Sequence, residues 1–173
     1  MKNVIFDLDL TLVDTSVLEP FRRNRDWQGA YRNIHKCYLY PGVLEVFNFI
    51  RQNNINACIV STAPRPYIEK IVKYFDIPVE YIIGYHDAKP IKPSQAPMLK
   101  ALDLMGCSNE SVVAFGDRGI DIISSKAAYI KSVACTWGTK EMDILLNSAA
   151  DVVISLPIQM IEHIRYICHL VVS

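Results

Sequence analysis

The chain has 173 residues, 51% of them hydrophobic, and carries 18 Lys plus Arg against 18 Asp plus Glu for a formal net charge of zero. That length suits a single domain with a core of ordinary size, expected to run over residues 1–173. The balanced charge argues against a global attraction to nucleic acid, and no apolar run approaches the roughly 18 residues of a membrane span.

Asn3–Leu8 reads as the first strand. It already contains Asp7, and Asp9 follows at once, which leaves no room for the apolar centre of a secretory signal. Ser16–Leu39 then breaks the rhythm. It carries Arg22, Arg23, Arg25, Arg32 and Lys36 against only Glu19 and Asp26, and reads as a small helical insert closed by Pro41-Gly42. Val43–Gln52 has helical period and Asn56–Ser61 reads as a strand. A helix over Pro66–Phe75 precedes a strand at Glu80–Gly84. The spacing next predicts a helix over Ser94–Met105, a strand at Ser111–Phe115, a helix over Gly119–Ala128 and a strand at Ile130–Cys135. Lys140–Ser148 is helical again, Val152–Ser155 is a short last strand, and Pro157–Leu170 closes the chain as a helix opened by a tolerated proline. This alternation implies an α/β fold, a three-layer Rossmann-like parallel sheet with helices on both faces. Cys37, Cys58, Cys107, Cys135 and Cys168 show no paired spacing, and three of them sit in apolar runs. They read as buried reduced thiols and point to the cytoplasm.

Parallel α/β sheets bind ligands at the carboxyl ends of their strands. After the first strand stand Asp7, Asp9 and Thr11; after the second, Ser61 and Thr62; after the third, a basic loop with Lys89 and Lys92; after the fourth, Asp117 and Asp121. Singly, each has a plain reading as a turn residue, a helix cap or a solvated charge. Together they bring several carboxylates to one rim, where they repel unless a cation or proton is shared. A hard divalent cation is the economical solution, and magnesium also suits a phosphate substrate. No glycine-rich nucleotide-binding string is present.

These residues, in this order, resemble the haloacid dehalogenase superfamily of phosphohydrolases. The likeness runs from Asn3 to about Ser155, and LYPGVLEVFNFI and SSKAAYIKSVACTWG are similar to the branch whose cap lies between its first two motifs. The resemblance implies a magnesium-dependent phosphatase acting on a small phosphorylated substrate, or a larger one because the insert is short; composition adds that no membrane span and no clear nucleic-acid site is expected. Asp7 matches the nucleophile and Asp9 the general acid/base, whose backbone carbonyl also ligates magnesium. Thr11 matches the residue that steadies this loop beside the substrate, and Ser61, with Thr62 after it, the phosphate-binding position. Asp117 matches the second metal carboxylate, and Asp121 an outer acidic position acting through water or hydrogen bonds. Lys92 fits the family's lysine because KPSQAPMLKAL reproduces its spacing, with Lys89 in reserve.

Two departures stand out: Leu10 where many relatives have glycine, and Arg118 where serine or threonine is usual. The insert is also much shorter than most caps of this branch. Its arginines either coat a solvated helix face or grip a second anionic group of the substrate. Phosphoryl transfer to another acceptor, mutase chemistry, or a non-catalytic regulatory module on the same scaffold remain the alternatives.

Overall fold

The computed structural model describes residues 2–170, with side chains through 167; the expectation for Cys168 falls outside that description. Six short strands form one parallel sheet: β1 (Asn3–Phe6), β4 (Asn56–Val60), β5 (Tyr81–Ile83), β6 (Val112–Gly116), β7 (Lys131–Cys135) and β8 (Val152–Ile154). Their spatial order is β5-β4-β1-β6-β7-β8. The chain winds outward from β1 through β4 to β5, then returns to lay β6, β7 and β8 on the other side. That reversal places the carboxyl ends of β4, β1 and β6 side by side. β1 pairs with both neighbours in register, Phe6 opposite Ile59 on one side and Phe115 on the other.

The central strands are apolar on both faces because both faces are covered. Val4, Phe6, Ala57, Ile59, Val113 and Phe115 meet α3 (Val43–Gln52), α4 (Arg65–Phe75) and α8 (Met160–Leu170). Each of these helices buries one stripe, such as Val43, Val46, Phe47 and Ile50 in α3, at the spacing of a helix lying on a sheet. On the opposite face, Ile5, Cys58, Val60 and Ala114 pack on α5 (Ala96–Met105) through Met98, Ala101 and Met105. α6 (Gly119–Ala127) and α7 (Met142–Leu146) complete that layer around Ile122, Ala134 and Leu145. Six strands and three layers match the sequence reading.

Ser16–Leu39 contains two short helices, α1 (Glu19–Arg23) and α2 (Trp27–Asn33). Its ends are tied by a two-stranded antiparallel ribbon that the sequence does not announce: β2 (Val13–Asp14) pairs with β3 (Tyr38–Leu39). Asp14 fastens this neck by accepting hydrogen bonds from the Ser16 backbone N–H and the Tyr38 hydroxyl. Cys37, Cys58, Cys107 and Cys135 are free thiols, and only Cys107 is more than slightly exposed. Among the described residues no helix is long and apolar enough to cross a membrane.

Candidate active site

Asp7, Ser61 and Asp117 are each the first residue after their strand, following Phe6, Val60 and Gly116. They line one cleft of about 590 Å³ together with Asp9, Thr62, Lys92 and Asp121. The Asp7 backbone N–H still donates to the Phe115 carbonyl, so sheet pairing holds its side chain at the rim. Asp121 comes from the first turn of α6. Its carboxylate accepts from the Arg118 backbone N–H and lies so close to Gly116 that a Cβ there would meet the Asp121 Cβ at 2.3 Å. Only glycine permits that approach.

Lys92 is buried and makes three bonds through Nζ: to Asp7 Oδ1 and the Val60 carbonyl, both at 2.8 Å, and to Asp121 Oδ1 at 2.5 Å. Lys89 lies elsewhere, its ammonium 3.9 Å from the centre of the Tyr85 ring. Thr11 is fully buried and donates to Asp117 Oδ1 at 2.8 Å. The Ser61 hydroxyl accepts from the Ala63 backbone N–H. The Thr11 loop is pinned from behind, where the Trp137 indole N–H donates to the Thr11 carbonyl. Leu10 adopts a left-handed conformation at φ 66, a region that costs a branched side chain roughly 1 kcal/mol or more. Glycine at this position would relax that turn.

Asp7, Asp117 and Asp121 each offer an oxygen, all within 4.8 Å of one another. Burial pushes the Asp117 carboxyl up to about 8, helped by the charges of Asp7 and Asp121. Burial likewise pushes Asp7 up to about 7, although Lys92 pulls against it. Lys92 stays an ammonium, because Asp121 and Asp7 outweigh the burial that would discharge it. Asp117 Oδ2 is buried and has no hydrogen-bond partner among the described residues. A buried carboxylate oxygen without a partner costs free energy unless something fills the position. Hard oxygen ligands, a surplus of carboxylates over the one lysine, and that orphan fit a magnesium ion. Asp121 spends both its oxygens on Lys92 and Arg118, which suits a supporting rather than a ligating place.

Asp9 lies on the other wall. Its Oδ1 accepts from the Thr15 and Tyr67 hydroxyls, each at 2.6 Å, and pairs with Arg22 Nη1 at 2.6 Å. Burial, with the Asp9 charge next, keeps the Tyr67 phenol far above its usual range, so it remains a donor. Of the insert's basic residues, Arg22 and Arg23 line the cleft, beside Trp27 and Glu19. Arg23 pairs with Glu19, which also bonds Lys140. Arg118 lines the cleft 3.7 Å from Glu141. The sequence carried no sign of Tyr67, because an aromatic residue at a helical core position reads as packing.

The model of the haloacid dehalogenase-like hydrolase family matches residues 20–135. That span holds Ser61, Lys92, Asp117 and Asp121, while Asp7, Asp9 and Thr11 precede it. The chain is 25% identical over 206 aligned positions to the provisionally named pyrophosphatase PpaX of Caldanaerobacter subterraneus subsp. tengcongensis, with 94% of each chain covered. Those positions outnumber the 173 residues here, so that relative carries stretches this chain lacks. Identity to the phosphoglycolate phosphatase of Salmonella typhi is 26% over 118 residues, 67% of this chain but 47% of the relative. The chain therefore spans nearly all of the first relative and about half of the second. A solved hydrolase from Pseudomonas syringae superposes with a TM-score of 0.79 at 18% identity, covering 96% of this chain and 99% of the other. CbbY from Rhodobacter sphaeroides, solved in complex with phosphate, gives 0.77 at 15% identity, covering 92% and 96%. At such identities the structural likeness speaks to fold alone.

Proposed function

We propose that this chain, which belongs to the haloacid dehalogenase-like hydrolase family, is a magnesium-dependent phosphatase that hydrolyses a small phosphate monoester through an aspartyl-phosphate on Asp7. The observation that carries this reading is the buried trio of Asp7, Asp117 and Asp121 gathered around Lys92, with one Asp117 oxygen left unpartnered.

A phosphate monoester resists attack because its negative oxygens repel a nucleophile. Lys92, already on Asp7, offsets part of that charge. Ser61 and backbone N–H groups after β4 orient the phosphoryl group. Magnesium held by Asp7, Asp117 and the Asp9 carbonyl, with Asp121 behind them, would supply the remaining positive charge. Asp7 attacks phosphorus while Asp9 gives a proton to the departing oxygen. Asp9 then takes a proton from the water that cleaves the acyl phosphate. Ser16–Leu39 serves as a short cap on this core. Free thiols at Cys37, Cys58, Cys107 and Cys135 suit the reducing cytoplasm.

The relatives' names describe substrates with a second anionic group beside the scissile phosphate. Apart from the groups around Asp7 and Asp9, the cleft is lined by Arg23, Arg118 and Lys140 beside Glu19 and Glu141, and these cations support a substrate of that kind here. The direct test is turnover of p-nitrophenyl phosphate with magnesium, then with a chelator, then with calcium. The reading expects activity, abolition and poor recovery in that order. Full turnover after metal stripping, or none with magnesium, would contradict it.

A further inference from the structure

Asp9 is gripped at a single oxygen. Thr15, Tyr67 and Arg22 all reach Oδ1 at 2.6 Å, and among the described residues no bond reaches Oδ2. An arginine can only donate, so it fixes Oδ1 as an acceptor, and the two hydroxyls converge on that same atom. The torsion that turns a carboxylate is broad and roughly two-fold. Without these donors the two oxygens would exchange places, and a proton on Asp9 would be found on either.

Tyr67 is itself held by the insert. It belongs to α4 of the core and is fully buried. The Trp27 ring lies tilted against it at 5.9 Å, and the Arg22 guanidinium sits 5.8 Å from its ring centre. The same insert that lines the cleft thus seats the tyrosine whose hydroxyl grips Asp9.

We propose that Tyr67 and Arg22 are positioning residues that hold Oδ1 of Asp9 and leave Oδ2 as the oxygen that exchanges protons with the substrate. This rests on Asp9 being the acid/base of the phosphatase reading. In the first half-reaction the Oδ2 proton passes to the leaving oxygen as its bond to phosphorus breaks and the Asp7–phosphorus bond forms. In the second, water gives a proton to Oδ2 as its oxygen bonds to phosphorus and the Asp7–phosphorus bond breaks. Asp9 ends each cycle protonated, and the sum is hydrolysis.

Tyr67→Phe keeps the ring and its seat but removes one donor. It is measured with an alkyl phosphate, a poor leaving group, and with p-nitrophenyl phosphate, a good one, beside wild type and Asp9→Asn. Turnover of the alkyl ester should fall about tenfold, the scale of one hydrogen bond to a charged group. The burst of p-nitrophenol release that reports phosphoryl transfer to Asp7 should fall much less, because that leaving group needs little acid help, with the alkyl-ester KM within about twofold. Arg22→Lys, which keeps a cationic donor, should retain more alkyl-ester turnover than Arg22→Met. In the Asp9→Asn background, Tyr67→Phe should cost nothing further. No loss of alkyl-ester turnover, an equal loss in the p-nitrophenol burst, or an undiminished penalty in the Asp9→Asn background would overturn the proposal. A wild type inert toward both esters, or an Asp9→Asn variant as active as wild type, would instead remove the phosphatase reading and this proposal with it.

Discussion

The two walls of the cleft are assembled in different ways. On the sheet wall, Asp7, Ser61 and Asp117 stand one residue beyond three adjacent strands, so topology alone delivers them to one rim. The insert wall has no such rule, since Arg22 reaches Asp9 from a five-residue helix tethered by a two-residue ribbon. The charges differ as well. The sheet wall crowds three carboxylates around one lysine and leaves an oxygen unpartnered. The insert wall brings its own cation to the carboxylate it meets. A site can thus gather repelling groups where the backbone fixes them, and satisfy a carboxylate such as Asp9 where side chains must do the holding.

The sheet wall should be the more sensitive. Asp7→Asn should lower turnover by roughly three orders of magnitude or more, because an amide is a poor nucleophile. Circular dichroism run beside the assay checks that the fold survives. Retention of more than about a few per cent of activity would put the nucleophile elsewhere. Lys92→Ala should come next, with a loss on the order of a hundredfold, against little change for Lys89→Ala. The ammonium of Lys92 sits 2.8 Å from Asp7, whereas that of Lys89 rests on the Tyr85 ring. The reverse ranking would break the contrast at its base.

A third test uses pH without turnover. Asp117 is raised to about 8 and Asp7 to about 7, against about 3.9 in an unfolded chain. A folded value above the unfolded one means that protonation favours the fold. The stability these groups give is complete below about pH 4 and is lost as pH rises through 7 and 8. The metal-free protein should therefore lose several degrees of Tm between about pH 5 and pH 9. Magnesium should restore most of that loss, and Asp117→Asn should flatten the profile. In Asp14, Asp87 and Asp151 burial is outweighed by hydrogen bonds that lower the carboxyl, so their loss appears only on the acid side. A flat metal-free profile in the wild type would mean the carboxylates do not strain one another.

The smallest effect belongs to the mouth of the cleft. Arg118→Ala should raise KM a few-fold for a substrate with a second anionic group and leave p-nitrophenyl phosphate nearly unchanged, with the difference fading in high salt. Equal treatment of both substrates would leave Arg118 as a solvated partner of Glu141.

The sequence made the sheet wall legible because strand ends and helix starts are marked by apolar runs and by the residues just after them. Phe6 to Asp7, Val60 to Ser61 and Gly116 to Asp117 are each a step from apolar or small to polar. The insert wall was legible only as a basic stretch. Pairs as short as Val13–Asp14 with Tyr38–Leu39 leave no periodicity to read. Nothing in the spacing separates Arg22 from Arg23 or Arg25. Tyr67 falls among Ile68 and Ile71 on the buried face of α4, so its ring reads as core and its hydroxyl goes unnoticed.

Uptake of the phosphoryl group by Asp7 is the proposed step that can be tested most directly. Asp9→Asn should slow the second half-reaction enough to trap that species when an aryl phosphate with a good leaving group is supplied with magnesium. Intact-mass analysis should then find one added phosphoryl group, peptide mapping should place it on Asp7, and Asp7→Asn/Asp9→Asn should gain none. A phosphoryl group on any other residue, or equal labelling of the double variant, would contradict the account.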